Sequence, residues 1–385
     1  MSSPGLAPAG GMLSAYRPDS TFVFSTSRGT LLAEGVYFAV PHSVRPAGLA
    51  DLPARVSGSL RVALAAGHER PIVVGAVPFA PDAAACLAVP VSVRQAPAPS
   101  GAARQAAPPP GQLPQAEPFP TPDGYRRAVA DAVAGLRAGR LEKVVLARTL
   151  RLPFHGDLAA VLSALAAHDP SGYAYSVPLP GGRTLLGASP ELLVSRTGTR
   201  VVATPMAGSL PRSCDPAPLL GSRKDRHEHA LVVAAVAEAL RPHCRSLTVP
   251  AEPSLTATAT MWHLATTVTG ELADPGTTSL TLAAALHPTP AVGGVPTADA
   301  LRVIGELEPF DRGFYAGMVG WEDASGDGEW AVTLRCAVAD GATITLFAGA
   351  GIVSGSDPEA ELAETSAKFA TALRAMGLAQ EHADA

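Results

Sequence analysis

Two pairs of acids are spaced so that they could hold a cation. In Ser222-Arg-Lys-Asp-Arg-His-Glu-His229, Asp225 and Glu228 are three residues apart and lead into the apolar pattern of residues 230–240. Ser222 followed by Asp225 resembles a capping box, so a helix is predicted to begin there with both acids on one face. Near the C-terminus, Glu361 and Glu364 repeat the spacing, with Lys368 four residues beyond. Like charges on one face repel unless something positive lies between them, and one hard cation between two acidic helix faces would explain both pairs. Solvated helix acids are the plainer explanation of either pair alone.

Other residues are less decisive taken singly. His227-Glu228-His229 lacks the four-residue spacing that puts two imidazoles on one helix face, so a zinc-protease reading fails and Glu228 is the better ligand candidate. Gly349-Ala-Gly351 invites a dinucleotide reading, but Ser354 stands where the third glycine belongs and no acidic ribose anchor follows. Two close glycines do let backbone amides approach an anion, a carboxylate as well as a phosphate. Lys143 at a strand start and Glu191 after Ser189-Pro190 are a potential base and acid, or simply a strand-end lysine and a turn acid. Arg335, read as lying inside an apolar strand from Val332, wants a carboxylate partner, either structural or belonging to a substrate.

The elements that must position these groups come in runs rather than in strict βα alternation, which favours an α+β fold. Strands are predicted at residues 21–25, 30–40, 71–79, 143–152, 172–177, 183–196, 201–209, 313–321, 329–336 and 343–351. Helices are predicted from Tyr125 to a glycine stop at Gly139, from an Asp157 cap to about His168, from Ser222, at 279–286, and from Pro358 through Lys368. Residues 1–95 read as an N-terminal part of the fold, 96–120 as a Pro/Ala-rich linker or loop, and 121–380 as the core.

The chain has 385 residues, 47% hydrophobic and 16% charged, with a formal charge of −5. That composition is globular and offers no basic patch for nucleic acid. No apolar run approaches the roughly 20 residues of a membrane span. The N-terminus lacks the basic start and apolar core of a signal peptide. The four scattered cysteines form no Cys-x-x-Cys pair, so reduced thiols and a cytoplasmic location are expected.

Several longer stretches occur in a fixed order: Lys143-Val-Val-Leu-Ala-Arg, Leu186-Gly-Ala-Ser-Pro-Glu-Leu-Leu, Pro205-Met-Ala-Gly-Ser, Lys224-Asp-Arg-His-Glu-His and Trp262-His-Leu-Ala-Thr. Leu286-His-Pro-Thr-Pro-Ala-Val-Gly-Gly, Glu308-Pro-Phe-Asp-Arg, Phe347-Ala-Gly-Ala-Gly-Ile-Val and Glu361-Leu-Ala-Glu-Thr-Ser-Ala-Lys follow. Together, over about residues 120–380, they resemble the chorismate-utilising enzymes. Val73-Val-Gly-Ala-Val-Pro-Phe resembles the isochorismate synthase branch more loosely. The segment from Leu210 to Cys214 departs from the family's Arg-rich continuation.

The resemblance implies one large chorismate-binding domain, with two antiparallel sheets surrounded by helices. Ammonia-using relatives carry Gln where Lys143 stands, and aminodeoxychorismate-forming relatives commonly carry Lys where Ala207 stands. Water is therefore the implied nucleophile, which points to isochorismate synthase feeding a catechol siderophore, with salicylate synthase as the alternative. Lys143 would be the base that activates water for attack at C2, and Glu191 the acid at the departing C4 hydroxyl. Glu228 and Glu364 would ligate Mg²⁺, with Asp225 and Glu361 reaching it through water or supporting its ligands. Arg335, Gly208, Ser209, Gly349, Gly351 and Lys368 would hold substrate carboxylates, and His263 would line the pocket. Chorismate is the expected small-molecule partner. No glutamine amidotransferase subunit, nucleic acid or membrane is expected, and the chain is expected to be a monomer.

Overall fold

A computed structural model describes residues 15–43, 48–98, 115–258 and 260–378. Two large antiparallel sheets dominate. The first has ten strands, ordered Gly294–Val295, Lys143–Pro153, Thr343–Ile352, Cys336–Asp340, Arg183–Ser189, Tyr173–Leu179, Thr21–Thr26, Gly29–Glu34 and Ser92–Ala96, with Glu117–Phe119 also on Lys143–Pro153. The second has nine, ordered Cys244–Thr248, Val268–Leu272, Arg200–Ala203, Leu192–Thr197, Gly328–Val332, Met318–Asp323, Ile72–Val77, Cys86–Val89 and Phe38–Ala39. A three-stranded sheet, Met206–Pro211, Met261–Ala265 and Ser254–Ala257, was not anticipated from the sequence. The α+β class holds.

Strands from before residue 96 complete both large sheets. One apolar core, including Phe24, Val73, Leu146, Leu185, Val194 and Trp330, joins them. A second core lies under helices Leu158–His168 and Pro358–Ala375, around Leu150, Leu346, Phe369 and Leu373. Because the big sheets are covered by other layers, their strands read as continuous apolar runs rather than alternating ones. The first eight residues of Lys143–Pro153 are all buried, the lysine included. Most of the Pro/Ala-rich segment, residues 99–114, lies outside the described residues, as do 1–14 of the N-terminal lead-in. Within 96–120, Glu117–Phe119 is a short strand, not loop.

Two predicted strands are each broken where the site forms. The run 183–196 is two strands in different sheets, Arg183–Ser189 and Leu192–Thr197, with Pro190 and Glu191 as the crossing. Arg335 likewise does not sit inside a strand. It falls between Gly328–Val332 and Cys336–Asp340, at a φ of 48°. The two crossings run side by side, stitched by Val332 N–H to Glu191 O at 3.1 Å and Ala188 N–H to Arg335 O at 3.3 Å. Tyr175 Oη donates to Leu334 O between them at 3.0 Å. Both strands leave one sheet and enter the other together, and the ladder opens into a gap.

A buried clasp fixes the neighbouring wall. Glu308 accepts from Ala147 N–H at 2.7 Å, while Arg312 donates to Glu308, to Val145 O at 2.8 Å and to Val292 O at 2.7 Å. Backbone groups that would otherwise be buried unpaired are thereby satisfied, and the strand carrying Lys143 is tied to the 291–292 loop.

Candidate active site

The gap at the paired crossings is a cavity lined by Glu191, Gly208, Ser209, Glu228, His263 and Arg335, with Gly349, Gly351, Glu364 and Lys368 on the side of the C-terminal helix. Glu191 is 3% exposed. Burial pushes its carboxyl up to about 8, against the opposing effects of the Met206 backbone and the Lys143 charge. It is therefore a protonated acid at neutral pH, facing a cavity that also holds Arg335 and Lys368 opposite Glu228 and Glu364.

Arg335 gives Nη1 to Thr260 Oγ1 and Thr371 Oγ1, each at 3.2 Å, and Nη2 to His263 Nε2 at 3.2 Å. Burial, then the Arg335 and Lys368 charges, hold His263 well below its ordinary value, so it is neutral and accepts. All these partners are uncharged. Burial lowers Arg335 itself to about 10, with Glu364 opposing. A carboxylate arriving from a substrate would find a cation that no described residue's carboxylate pairs with.

The helix Arg223–Leu240 begins as predicted, with Ser222 Oγ accepting from Asp225 N–H at 3.2 Å. Its N-terminus lies against strand Met206–Pro211, where Gly208 has a φ of 78° and a Cβ would come within 3.0 Å of Asp225 Cβ. Helix Pro358–Ala375 is capped by Asp357 and lies along Thr343–Ile352, where Lys368 Nζ reaches Gly349 O at 2.8 Å. Gly349 is needed because a Cβ there would stand 2.6 Å from Tyr315 Oη.

Glu228, Glu361 and Glu364 on these helices are each turned to a different lysine. Lys143 Nζ meets Glu228 Oε1 at 2.8 Å, Lys368 meets Glu364 Oε1 at 2.6 Å, and Lys224 meets Glu361 Oε1 at 3.0 Å. Ser209 Oγ also donates to Glu364, at 2.9 Å. Burial opposes ionisation of Glu364, but Lys368 and Ser209 hold it below the usual carboxylate value. Burial and then the neighbouring Glu364 raise Glu361. Burial raises Asp225 as well, with Glu228 and Glu364 adding to it.

The acids predicted to hold a metal are thus brought together: Glu361 feels the charge of Glu364, and Asp225 that of Glu228 and Glu364. Among the described residues, no three carboxylate, imidazole or thiolate groups stand close enough as they are to enclose an ion. Their chemistry nonetheless fits a hard dication: all four offer carboxylate oxygen, and Glu228, Glu361 and Glu364 are paired with ammonium groups on flexible stems. Lys143 lies behind Glu228 and Gly351 rather than on the cavity wall. Lys368 and Ser209, expected on substrate carboxylates, are engaged with Glu364.

Sequence reasoning passed over Tyr315, Phe347 and Leu334, which line the cavity, and Thr260 and Thr371, which hold Arg335. Apolar and hydroxyl residues carry no chemical signature of their own, so only the fold could find them. Lys224 stood inside a motif already singled out, yet its partner is 137 residues away. His229, predicted not to be a zinc ligand, is buried with Nε2 2.7 Å from Thr266 Oγ1, and burial takes it down to about 4.

Comparison with known proteins agrees with this architecture. Residues 92–377 match the family described as chorismate binding enzyme. Isochorismate synthase DhbC of Bacillus subtilis is 49% identical over 384 residues, covering 95% of this chain and 96% of that protein. The vibriobactin-specific isochorismate synthase of Vibrio cholerae is 38% identical, covering 93% and 92%. The crystal structure of DhbC from Bacillus anthracis aligns with a TM-score of 0.90 at 45% identity, over 96% of this chain and all of that one. On both sequence and structure, the chain belongs to the chorismate-binding enzyme family.

Proposed function

We propose that the protein is an isochorismate synthase: it isomerises chorismate to isochorismate by adding water at C2 as the C4 hydroxyl departs, and supplies a catechol siderophore. The observation that carries this reading is Glu191, an acid kept protonated by burial in a cavity lined by Arg335, neutral His263 and Lys368. Glu191 gives its proton to the leaving C4 oxygen, and Lys143, once released from Glu228 as the neutral amine, takes one from the attacking water; return of that proton to Glu191 through solvent resets both groups with no net gain of atoms. Arg335 and the backbone around Gly349–Gly351 orient the substrate's carboxylates. Mg²⁺, held by Glu228 and Glu364 with Asp225 and Glu361 behind them, would neutralise a substrate carboxylate. Relatives named isochorismate synthase, at high identity over almost the whole chain, support the branch.

Purified protein given chorismate and Mg²⁺ is expected to yield a product of unchanged mass. Salicylate and pyruvate formed without a partner enzyme would move the chain to the salicylate synthases, and ammonia-dependent anthranilate would overturn the choice of nucleophile. The same protein is expected to work as a cytoplasmic monomer without an amidotransferase, which size-exclusion chromatography of the active fraction tests. Among the described residues no helix is long and apolar enough to cross a membrane.

Gly351 offers a sharper check on the wall behind the substrate. A Cβ there would fall 2.1 Å from Glu228 Oε1 and 3.1 Å from Lys143 Cε. Gly351→Ala is expected to displace that pair and lower kcat/KM by about a hundredfold, since displacements near 1 Å cost that much. Steady-state kinetics on the folded variant decides it, and near-normal kcat/KM would remove Glu228 and Lys143 from the working site.

A further inference from the structure

Lys224 is oddly placed for a lysine. It occupies the first turn of helix Arg223–Leu240, where the helix dipole disfavours a cation. Yet its ammonium turns inward to Glu361, whose side chain is 2% exposed. Glu361 contributes most to raising Lys224 against burial, and Glu228 and Glu364 also act on it. Two of those three glutamates have a lysine of their own, Lys143 or Lys368, which the proposed reaction needs for other work. Lys224 has no such task.

We propose that Lys224 is a built-in counter-ion: its ammonium holds the acidic cradle together until a divalent metal ion takes its place. The inference rests on the reading that these carboxylates bind Mg²⁺. Glu361 and Glu364 are one turn apart on one helix, and both face the N-terminus of the helix that carries Asp225 and Glu228. Without a positive charge among them, their repulsion would spread the two helices. A lysine suits a temporary tenant. Its charge sits on a flexible stem, and its side chain is 38% exposed, so water can receive the ammonium when the metal arrives. The ammonium and the metal then compete for the same oxygens, and the same residue that orders the empty site weakens its affinity for metal.

The test uses the whole chain without substrate. Mg²⁺ binding is followed by calorimetry and Mn²⁺ binding by electron paramagnetic resonance, for wild type, Lys224→Met and Lys224→Arg. Melting temperatures are taken in chelator and in excess Mg²⁺. Lys224→Met is expected to melt about a degree lower in chelator, to recover in Mg²⁺, and to bind Mn²⁺ about threefold more tightly, the scale of one partly exposed ion pair. Lys224→Arg, which keeps the charge, is expected to behave like wild type. Metal binding unchanged or weakened in Lys224→Met overturns the counter-ion role, whatever happens to the melting temperature. Absence of binding by wild type and variant alike instead sinks the metal reading of the cradle, and this inference with it.

Discussion

Glu191→Gln is expected to lower kcat by about a thousandfold, the middle of the range for loss of a positioned general acid, while the protein remains folded. Glutamine fills the same space, and the group it replaces is already uncharged at neutral pH because burial holds it at about 8. The pH dependence of activity follows in sign. The acid must be protonated to deliver its proton, so kcat/KM should fall as pH rises through that value, and this limb should vanish from the residual activity of the variant. Stability carries a second signature. The folded-state value is raised above the ordinary 4.5, so the carboxyl's contribution is intact below that ordinary value and is lost as pH rises towards and through about 8. Glu191→Gln should therefore gain in melting temperature relative to wild type across that window and match it in acid. Constant separation of the two melting curves, or near-normal turnover, would refute the role given to Glu191.

Lys143 is expected to have the second large effect, through two routes that can be separated. As the base for water, its removal in Lys143→Met should reduce kcat by about a thousandfold. As the partner of Glu228, its removal also strands a carboxylate that is 7% exposed. Breaking a buried ion pair on one side costs about 3–5 kcal/mol, whereas replacing both partners with apolar groups is often neutral. The double variant Lys143→Met/Glu228→Met should accordingly regain most of the stability lost in the single one, measured by urea unfolding, while staying inactive. A double variant that stays as unstable as the single one would mean that Lys143 supports the fold by packing alone. Recovery of turnover in it would exclude Lys143 as the base.

What could be read from the sequence follows from where each signal is written. Helices with a side-chain cap were legible: Thr121, Asp157, Ser222, Thr278 and Asp357 all accept from the first turn of their helix. The helices that went unread, Leu52–Ala65, Ala217–Gly221 and Thr297–Leu307, have no such cap bond. Two of these starts carry only a first-turn proline, a weaker mark than a cap. Strand positions were legible from apolar runs, but sheet membership was not. Leu192–Ser195 and Gly328–Val332 are buried throughout, so nothing in their pattern says that the chain changes sheets at Glu191 and before Cys336. The acids and lysines of the site were visible by type and spacing, and the Lys368–Glu364 pair by its four-residue step. Lys143–Glu228 and Lys224–Glu361 join residues far apart in sequence, and only the fold brings them together.

The paired crossings have a consequence for how such a chain can vary. Glu191 and Arg335 hang from two neighbouring strands that change sheets at the same point, each crossing hydrogen-bonded to the other. A residue gained or lost in either would put the next strand out of step and turn its side chains to the opposite face. Acid and guanidinium are therefore coupled by length before they are coupled by chemistry. Substitutions at these crossings can be graded, but insertions and deletions cannot, and the spacing between Ser189 and Leu192, or between Val332 and Cys336, is as much a part of the active site as any side chain in it.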